Sequence, residues 1–415
     1  MRLSTIFSRS CLAAAGLSLS LLAAAAPAFA GDGPGGYREV FYPDGHPRLV
    51  KAGRDHPAPV DHLRAARVTT IQKTGADRNR FVLVVLGDGY TKSQQGTYAG
   101  HAERLMNTLF TVSPYKQYKK LFNIYRVDVA SSQSGVSGAA GRNSTKRTAL
   151  GSHFYCDGVE RLLCANEKAA GQYAAKASND VDAIAVVANT KKYGGSGGPL
   201  TTVAGGNAGA GQILPHEMGH TTGKLGDTYG YPYGTAKGGP NPPYRNVSTH
   251  AKTAMRKRKA DWYRWLNTKS PSGGRISTYQ GANYYKKGYY RPSKDSLMRT
   301  LGKRFDSVGR EAMIIGFWRN VHPIDAHTAN AGARKRSGTL SVKRAPVKLS
   351  TQWWVDKKHV KGSNGKRAMK IGSLRLSKGR KHWISVTVKD KTGWVRDSGA
   401  RSKYMAQRVT WTVSR

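Results

Sequence analysis

The residues best suited to chemistry form one short run, His216-Glu217-Met218-Gly219-His220. On a helix, residues four apart lie on one face, so His216 and His220 can direct two imidazoles at a common point. That spacing favours a zinc ion, and Glu217 can reach a metal-bound water without being a ligand itself. The predicted chemistry is hydrolysis with Glu217 as general base. The alternative is a solvated helix face that carries these residues by chance.

A catalytic zinc site uses three protein ligands and leaves the fourth position to water, so the two histidines need a partner. Asp227 is the nearest oxygen ligand after the helix, and Gly223 and Gly226 give the backbone freedom to turn it toward the metal. His250 is a rival ligand that lies 30 residues beyond His220. Asp227 could instead be an ordinary loop residue. We predict Asp227 as the third ligand.

The elements that must position these residues begin with residues 81–86, a continuous apolar run of the length of a strand buried on both faces. Residues 93–110 have apolar positions at helical spacing, and further strands are predicted at 122–129 and 181–189. This strand–helix–strand order implies a right-handed crossover and a largely parallel sheet. We predict an open, mostly parallel α/β sheet that carries the active-site helix.

Two short segments precede the histidine run. Residues 193–198 are too rich in glycine for a strand interior and lack the Lys-Ser/Thr ending of a phosphate loop, so we interpret them as a loop of close backbone approach. Residues 200–203 are predicted to form an edge strand. An edge beside a catalytic cleft can pair with an extended peptide.

The first 30 residues have the pattern of a secretory signal peptide. Arg2 and Arg9 precede or adjoin an apolar run at 12–26, and an Ala-x-Ala sequence ends at Ala30. We expect cleavage near Ala30 and a secreted, extracellular protein, since no later stretch is apolar for long enough to span a membrane.

Regions of different composition flank residues 67–325, the predicted metal-binding domain. Residues 31–66 are rich in Gly, Pro, His and charge, which predicts an extended arm or short pro-segment. From about Thr339 the apolar residues alternate along short segments separated by turns. This pattern predicts an immunoglobulin-like β-sandwich over residues 338–415.

Two cysteines, Cys156 and Cys164, remain once the signal peptide is removed with Cys11. In an oxidising compartment such a close pair argues for a local disulfide. The alternative is a thiolate metal site, but two cysteines alone lack the other ligands. We predict one disulfide.

The chain is strongly basic, with a formal net charge of +44. Residues 321–415 hold 23 Lys and Arg against 4 Asp, a net charge of +19. Such a field attracts anionic partners such as cell-wall polymers, nucleic acid or acidic proteins. A solubility device is the alternative. The sequence contains no nucleic-acid recognition module, so we do not expect specific nucleic-acid binding.

Taken together, these residues resemble the secreted metallopeptidases named after the IgA-specific metalloendopeptidase, within the metzincin-like zinc peptidases. The resemblance runs from about Val68 to Val321. It rests on blocks in a fixed order: Leu-Gly-Asp-Gly-Tyr-Thr at 86–91, Ser-Gln-Ser-Gly at 132–135, Asn189 with Tyr-Gly-Gly-Ser-Gly at 193–197, the histidine run, and Leu-Gly-Asp-Thr-Tyr at 225–229.

The resemblance implies that His216, His220 and Asp227 bind one Zn²⁺ ion, that Glu217 is the catalytic base, and that Met298 forms the methionine turn beneath the metal. It also implies a protein or peptide substrate, although the family name does not make that substrate immunoglobulin.

This chain departs from the usual metzincin pattern at two positions. The third ligand usually lies six residues after the second histidine, where this chain has Gly226, and Asp227 lies one residue later. Family members often carry an acidic residue after that Asp, and Thr228 stands here.

The sequence therefore predicts a secreted zinc endopeptidase. The alternative is a cationic cell-surface binding protein, in which the basic C-terminal region attaches to anionic wall polymers and the metal domain is only structural. Glu217 argues against this alternative, because a structural zinc site needs no base. For the oxyanion, the sequence offers only Tyr289, Tyr290 and Arg291 as candidates.

Overall fold

The computed structural model describes residues 32–33, 37–42, 44–55, 57–236 and 241–414. The predicted signal peptide lies outside these residues. The described chain is a mixed α/β structure with several sheets and helices. Within it, every helix falls short of the length and apolar character that crossing a membrane requires.

The N-terminal arm contains an antiparallel sheet of three strands, β1 (Asp32–Gly33), β2 (Tyr37–Phe41) and β3 (Pro47–Lys51). Strands β2 and β3 form a hairpin whose turn includes Gly45 at φ +78°. The chain then follows the surface, where the Asp61 carboxylate accepts hydrogen bonds from the backbone and hydroxyl of Ser132. Composition alone predicted an arm here and gave no sign of this sheet.

The central sheet has six strands in the order β4-β6-β5-β7-β9-β8. Strands β5, β6, β7 and β9 are parallel, whereas β4 and β8 run antiparallel to their neighbours. The prediction of a mostly parallel sheet is confirmed. The strands are β4 (Arg67–Gln72), β5 (Phe81–Asp88), β6 (Phe122–Asp128), β7 (Ala183–Ala188), β8 (Gly195–Ser196) and β9 (Thr201–Ala204).

Helices cover both faces of this sheet, as the burial of all of β5 requires. Leu83 and Val85 pack in the same cluster as α1, α4 and α6, while Val82 and Val84 pack in a second cluster with α3. The helices are α1 (Gln95–Leu109), α2 (Tyr115–Tyr118), α3 (Glu167–Ala174), α4 (Ile213–Thr221), α5 (Lys252–Arg258), α6 (Ser307–Asn320) and α7 (Ser398–Tyr404).

The prediction that residues 200–203 form an edge strand is wrong. Strand β9 pairs with β7 on one side and with β8 on the other, so the short β8 is the outer strand. Gly195 and Ser196 have almost no side-chain pattern, and their pairing depends on backbone groups that the sequence does not reveal. The predicted disulfide between Cys156 and Cys164 is present, with Cα atoms 5.8 Å apart.

The glycine-rich block after β5 has a structural role. Asp88 is fully buried, and its carboxylate accepts several hydrogen bonds from the segment 131–152. Since a buried charge needs such donors, Asp88 fixes that long segment against the carboxyl end of the sheet. The donors are Thr148 Oγ1, Leu150 N and Ser152 N, each at 2.8 Å, and Ser131 Oγ at 3.3 Å.

After the histidine helix, a three-stranded sheet of order β10-β12-β11 follows the loop that contains Asp227. Two more sheets lie at the C-terminal end, with orders β13-β15-β18 and β14-β20-β19-β16-β17. The strands are β10 (Gly230–Thr235), β11 (Tyr279–Ala282), β12 (Tyr284–Arg291), β13 (Ile324–His327), β14 (Ala333–Arg334), β15 (Thr339–Arg344), β16 (Ser350–Val355), β17 (Lys358–His359), β18 (Ala368–Lys370), β19 (His382–Lys389) and β20 (Ala406–Val413).

The C-terminal sheets are joined to the rest of the chain by a buried contact. Asp390 Oδ2 accepts a hydrogen bond of 2.6 Å from the Tyr118 hydroxyl and one of 3.1 Å from Trp318 Nε1. The apolar residues of the C-terminal sheets belong to the same continuous cluster as those of α1, α4 and α6. A second link is the buried Arg80 guanidinium, 2.6 Å from Asp325 on β13.

Candidate metal centre

Helix α4 carries both histidines and Glu217, and its residues from Ile213 to Gly219 are buried. The helix packs closely on its floor, since a Cβ added to Gly219 would lie 2.6 Å from the Met298 sulfur. Met298 thus lies directly under the helix, where the sequence placed it. Pro215 is tolerated because it lies in the first turn, where backbone N–H groups lack helical partners.

The end of α4 turns the chain back toward the histidines. Lys224 has φ +53°, and the Leu225 N–H donates to the Gly219 carbonyl at 3.1 Å. This left-handed ending is the common way to satisfy the last helical carbonyls. The left-handed residue is Lys224, whereas the sequence suggested Gly223, which instead packs against the Met313 sulfur.

Three potential ligand atoms meet beyond the helix. His216 Nε2 and His220 Nε2 are 3.1 Å apart, and Asp227 Oδ1 lies 3.4 Å from the first and 3.3 Å from the second. Tetrahedral zinc with bonds of about 2.0–2.1 Å separates its ligand atoms by about 3.3 Å. Asp227 Oδ1 is buried, and the contacts found for it among the described residues are those with the two Nε2 atoms. The donor set and its spacing therefore fit a metal ion of this size.

The opposite nitrogen of each imidazole contacts a backbone carbonyl. His216 Nδ1 lies 3.0 Å from the Leu297 oxygen, and His220 Nδ1 lies 2.8 Å from the Leu225 oxygen. Since a carbonyl oxygen only accepts, both Nδ1 atoms carry a proton, and both Nε2 atoms face the shared position. The fold thus selects the tautomer that binds a metal.

Glu217 lies beside this group, with a carboxylate oxygen within 4.8 Å of a ring nitrogen of each histidine. Its Oε2 is 4.0 Å from His220 Nε2, and the residue is 8% exposed. Gly197 leaves room for the carboxylate, since a Cβ there would lie 1.8 Å from Oε2. Burial raises the pKa of Glu217, so its carboxylate takes up and holds a proton more readily than that of an exposed glutamate.

In the metal-free protein the same atoms form a buried ion pair. Burial acts to lower the pKa of His220, but the charge of Asp227 outweighs it and raises that pKa to about 9. Burial acts to raise the pKa of Asp227, and the charge of His220 with the contacts of both imidazoles holds it well below its usual value. A metal ion therefore has to displace a proton from His220.

The family model of the IgA peptidase M64 family matches residues 69–274 and 265–317, which include α4, Asp227 and Met298. The chain belongs to the IgA peptidase M64 family. Membership indicates a peptidase, with a protein substrate and a metal ion in its site. A search of curated proteins found no match.

The rival ligand and the oxyanion candidates that the sequence offered make their contacts with other residues than the three ligands. His250 Nδ1 lies 2.8 Å from Asp261 Oδ2. Tyr289 packs on the Tyr285 ring, and Tyr290 pairs through its backbone with Ser248. The Arg291 guanidinium donates to the carbonyls of residues 280 and 281. The structure therefore brings His216, Glu217, His220, Asp227 and Met298 together, whereas the contacts of these four are with other residues.

Tyr284 is a residue of this site that the sequence did not reveal. Its hydroxyl donates to Asp227 Oδ2 at 3.0 Å, which leaves Oδ1 for a metal. Asn283 N also donates to the Asp227 carbonyl at 2.9 Å. Both residues have positive φ, 48° and 71°. A tight turn before the tyrosine-rich strand β12 was the available signal, but nothing local connects it to a residue 57 positions earlier.

A second group, Asp55, His153 and Cys156, also has potential ligand atoms within reach of one another. Cys156 is bonded to Cys164, so its sulfur is not available as a thiolate. This group therefore lacks a third free ligand atom.

Proposed function

We propose that the protein is a secreted zinc endopeptidase in which His216, His220 and Asp227 hold one Zn²⁺ ion and Glu217 is the general base. The observation that carries the proposal is the meeting of three ligand atoms at 3.1–3.4 Å beside a buried carboxylate, in a chain of a peptidase family. Two imidazole nitrogens and one carboxylate oxygen suit zinc, and three protein ligands leave one position for catalysis.

A zinc ion in this site supplies Lewis acidity, which acidifies water and polarises a carbonyl. Glu217 accepts the proton of the attacking water, and its raised pKa lets it hold that proton until the leaving amine nitrogen takes it. The Leu225 and Leu297 carbonyls keep the imidazoles oriented, and Tyr284 keeps the Asp227 carboxylate oriented. These contacts preorganise the site before substrate arrives.

The proposal extends to the architecture: a metzincin-like domain over residues 67–325 and a β-sandwich over 338–415, after an arm at 31–66. Support for the sandwich comes from β15 and β19, whose inward residues share one apolar cluster. Support for secretion comes from the Cys156–Cys164 disulfide, since such bonds persist in oxidising compartments. The net charge of +19 on residues 321–415 supports anionic wall polymers as a further partner.

The test is Glu217→Gln, assayed by cleavage of a mixed peptide library and by zinc analysis. We expect hydrolysis to fall by about 10²–10⁴-fold, the usual contribution of a general base. Zinc should stay near one per chain, because Glu217 is not among the three ligand atoms. Glu160→Gln is the control, an exposed carboxylate paired with Lys192. Full activity in Glu217→Gln would show that the base lies elsewhere, and a chelator-resistant activity would argue against the metal.

A further inference from the structure

The N-terminal hairpin of β2 and β3 touches the segments on both sides of the proposed catalytic group. On one side, β2 lies against β8, which leads directly to Gly197 and the Glu217 carboxylate. Arg161, whose carbonyl accepts from Gly195 N, places its guanidinium 4.8 Å from the centre of the Tyr42 ring. The hairpin is thus attached to the outer strand of the central sheet.

On the other side is the loop 297–301, which holds His216 through the Leu297 carbonyl. Leu301 N donates to the Gly45 carbonyl at 3.0 Å, at the turn of the hairpin. A Cβ added to Gly45 would lie 3.2 Å from the Leu301 oxygen, and φ +78° is a conformation that glycine adopts without strain. The turn is therefore shaped to fit this loop.

The hairpin is built into the surface. Val40 is buried, and Leu49 packs against the main apolar cluster. The chain after it is tied down by Gly53 N, which donates to the Asp157 carbonyl, and by Asp55, which contacts His153 at 3.2 Å. Between these ties, Arg54 is exposed in a stretch without regular structure.

The catalytic side chains are hardly accessible in this arrangement. Glu217 is 8% exposed, and His216 and Asp227 are less exposed still. Two segments that contact the proposed group flank it: Gly197, which follows β8, and the loop 297–301. The hairpin joins these two segments, so an extended peptide lying between them would meet the turn at Gly45.

We propose that residues 37–51 are an autoinhibitory strap and that Arg54 is the processing site whose cleavage releases it. The inference rests on the proposed function, since it assigns the strap to the peptidase site. The cut is hydrolysis of the amide after Arg54 by a peptidase with trypsin-like specificity: water adds, the C–N bond breaks, and a carboxylate and an amine form. An isolated hairpin has little stability in water, so after the cut its contacts with the surface alone retain it, and dilution favours its release.

The first test introduces the recognition sequence of a site-specific endopeptidase at residues 52–54 of the full chain, and compares cut with uncut protein. The cut protein should hydrolyse peptides about tenfold faster, as for a strap that leaves the site open about a tenth of the time. It should also lose zinc to a chelator faster. Equal rates in both assays would overturn the inference.

The two proposals fail in different ways in this experiment. If cut and uncut protein hydrolyse peptides equally fast and lose zinc equally fast, the strap is wrong and the peptidase stands. If neither form hydrolyses any peptide although both hold zinc, the proposed function is wrong. In that case the rates of zinc loss test the strap proposal by themselves. Faster zinc loss from the cut form would support the strap, and equal zinc loss from both forms would contradict it.

The second test is Gly45→Val, which places a side chain against Leu301 and strains the turn. Gly379→Val is the matched control, because Gly379 has φ +70° and open space around it. We expect faster hydrolysis and faster zinc loss for Gly45→Val only, with thermal unfolding as the check on folding. A folded Gly45→Val protein with unchanged rates would contradict the strap, and if that variant does not fold, the cut protein decides.

Discussion

Gly197→Ala is the sharpest single substitution that the site offers, because it moves the proposed base and leaves the ligands in place. The new Cβ would lie 1.8 Å from Glu217 Oε2 and 2.4 Å from its carboxyl carbon. Non-bonded heavy atoms keep roughly 3.5 Å apart, so the carboxylate has to move by roughly 1.5 Å. It lies at the free end of a flexible side chain, and the backbone can stay where it is.

The magnitude follows from that displacement. A misplacement of about 1 Å can cost about 10²-fold in rate, and complete loss of a general base costs about 10²–10⁴-fold. We expect kcat/KM of Gly197→Ala to fall by about 10²-fold, or about 2.7 kcal/mol of transition-state stabilisation. Zinc content and Tm should match the parent protein, because His216, His220 and Asp227 are not touched.

The assay is hydrolysis of one peptide selected from the mixed library, with zinc analysis and thermal unfolding on the same samples. Gly171→Ala is the control, since this α3 residue has open space around it. Alanine there should leave activity unchanged and stabilise the helix by up to about 1 kcal/mol. Activity of Gly197→Ala within about threefold of the parent would refute the placement of Glu217, since a 1 Å shift is expected to cost far more.

Four further outcomes are expected. Asp227→Ala should purify with little zinc and no activity while His250→Ala keeps both, and the reverse pattern in metal analysis would make His250 the ligand. Tyr284→Phe should weaken zinc binding by about tenfold in competition with a chelator, as losses of ligand-orienting contacts do, and unchanged affinity would show that Asp227 needs no such partner. Apparent zinc affinity should rise with pH up to about 9, because below that value His220 in the metal-free protein holds a proton that zinc must displace; a flat profile in zinc titrations would contradict the buried ion pair. A chain ending near Asn330 should fail to fold, judged by circular dichroism and Tm, because Tyr118 and Trp318 lose the buried Asp390.

That last expectation differs from the sequence-based prediction, in which residues 338–415 form a domain of their own. Alternation along residues 338–415 correctly predicts strands, since it reports burial on one face. It does not report what covers the ends of the strands. The buried carboxylate of Asp390 contacts Tyr118 on α2 and Trp318 on α6, which lie 272 and 72 residues away in the sequence. No local sequence pattern contains such contacts.

The proposed site divides in the same way. The spacing of His216, Glu217 and His220 on one helix placed all three from the sequence, because helical periodicity is local. Asp227 follows His220 by seven residues, and the structure brings its Oδ1 close to both imidazoles. The contacts of Tyr284 with Asp227 and of Gly197 with Glu217 were not predicted, since Tyr284 lies on β12 and Gly197 follows β8, both far from α4 in the sequence. Gly197 matters because the absence of a Cβ leaves room for the Glu217 carboxylate, and composition does not show which side chain occupies that room.

The buried contact at Asp390 has a mechanical consequence. Tyr118 and Trp318 donate hydrogen bonds to one carboxylate of the C-terminal region, and both belong to the same apolar core as its sheets. In the described chain, the basic end of the molecule and the histidine helix are therefore parts of one packed unit. A surface that binds the basic end would therefore also hold the histidine helix at a fixed position relative to that surface. A peptide attached to such a surface would then reach the histidines only if it extends as far as α4.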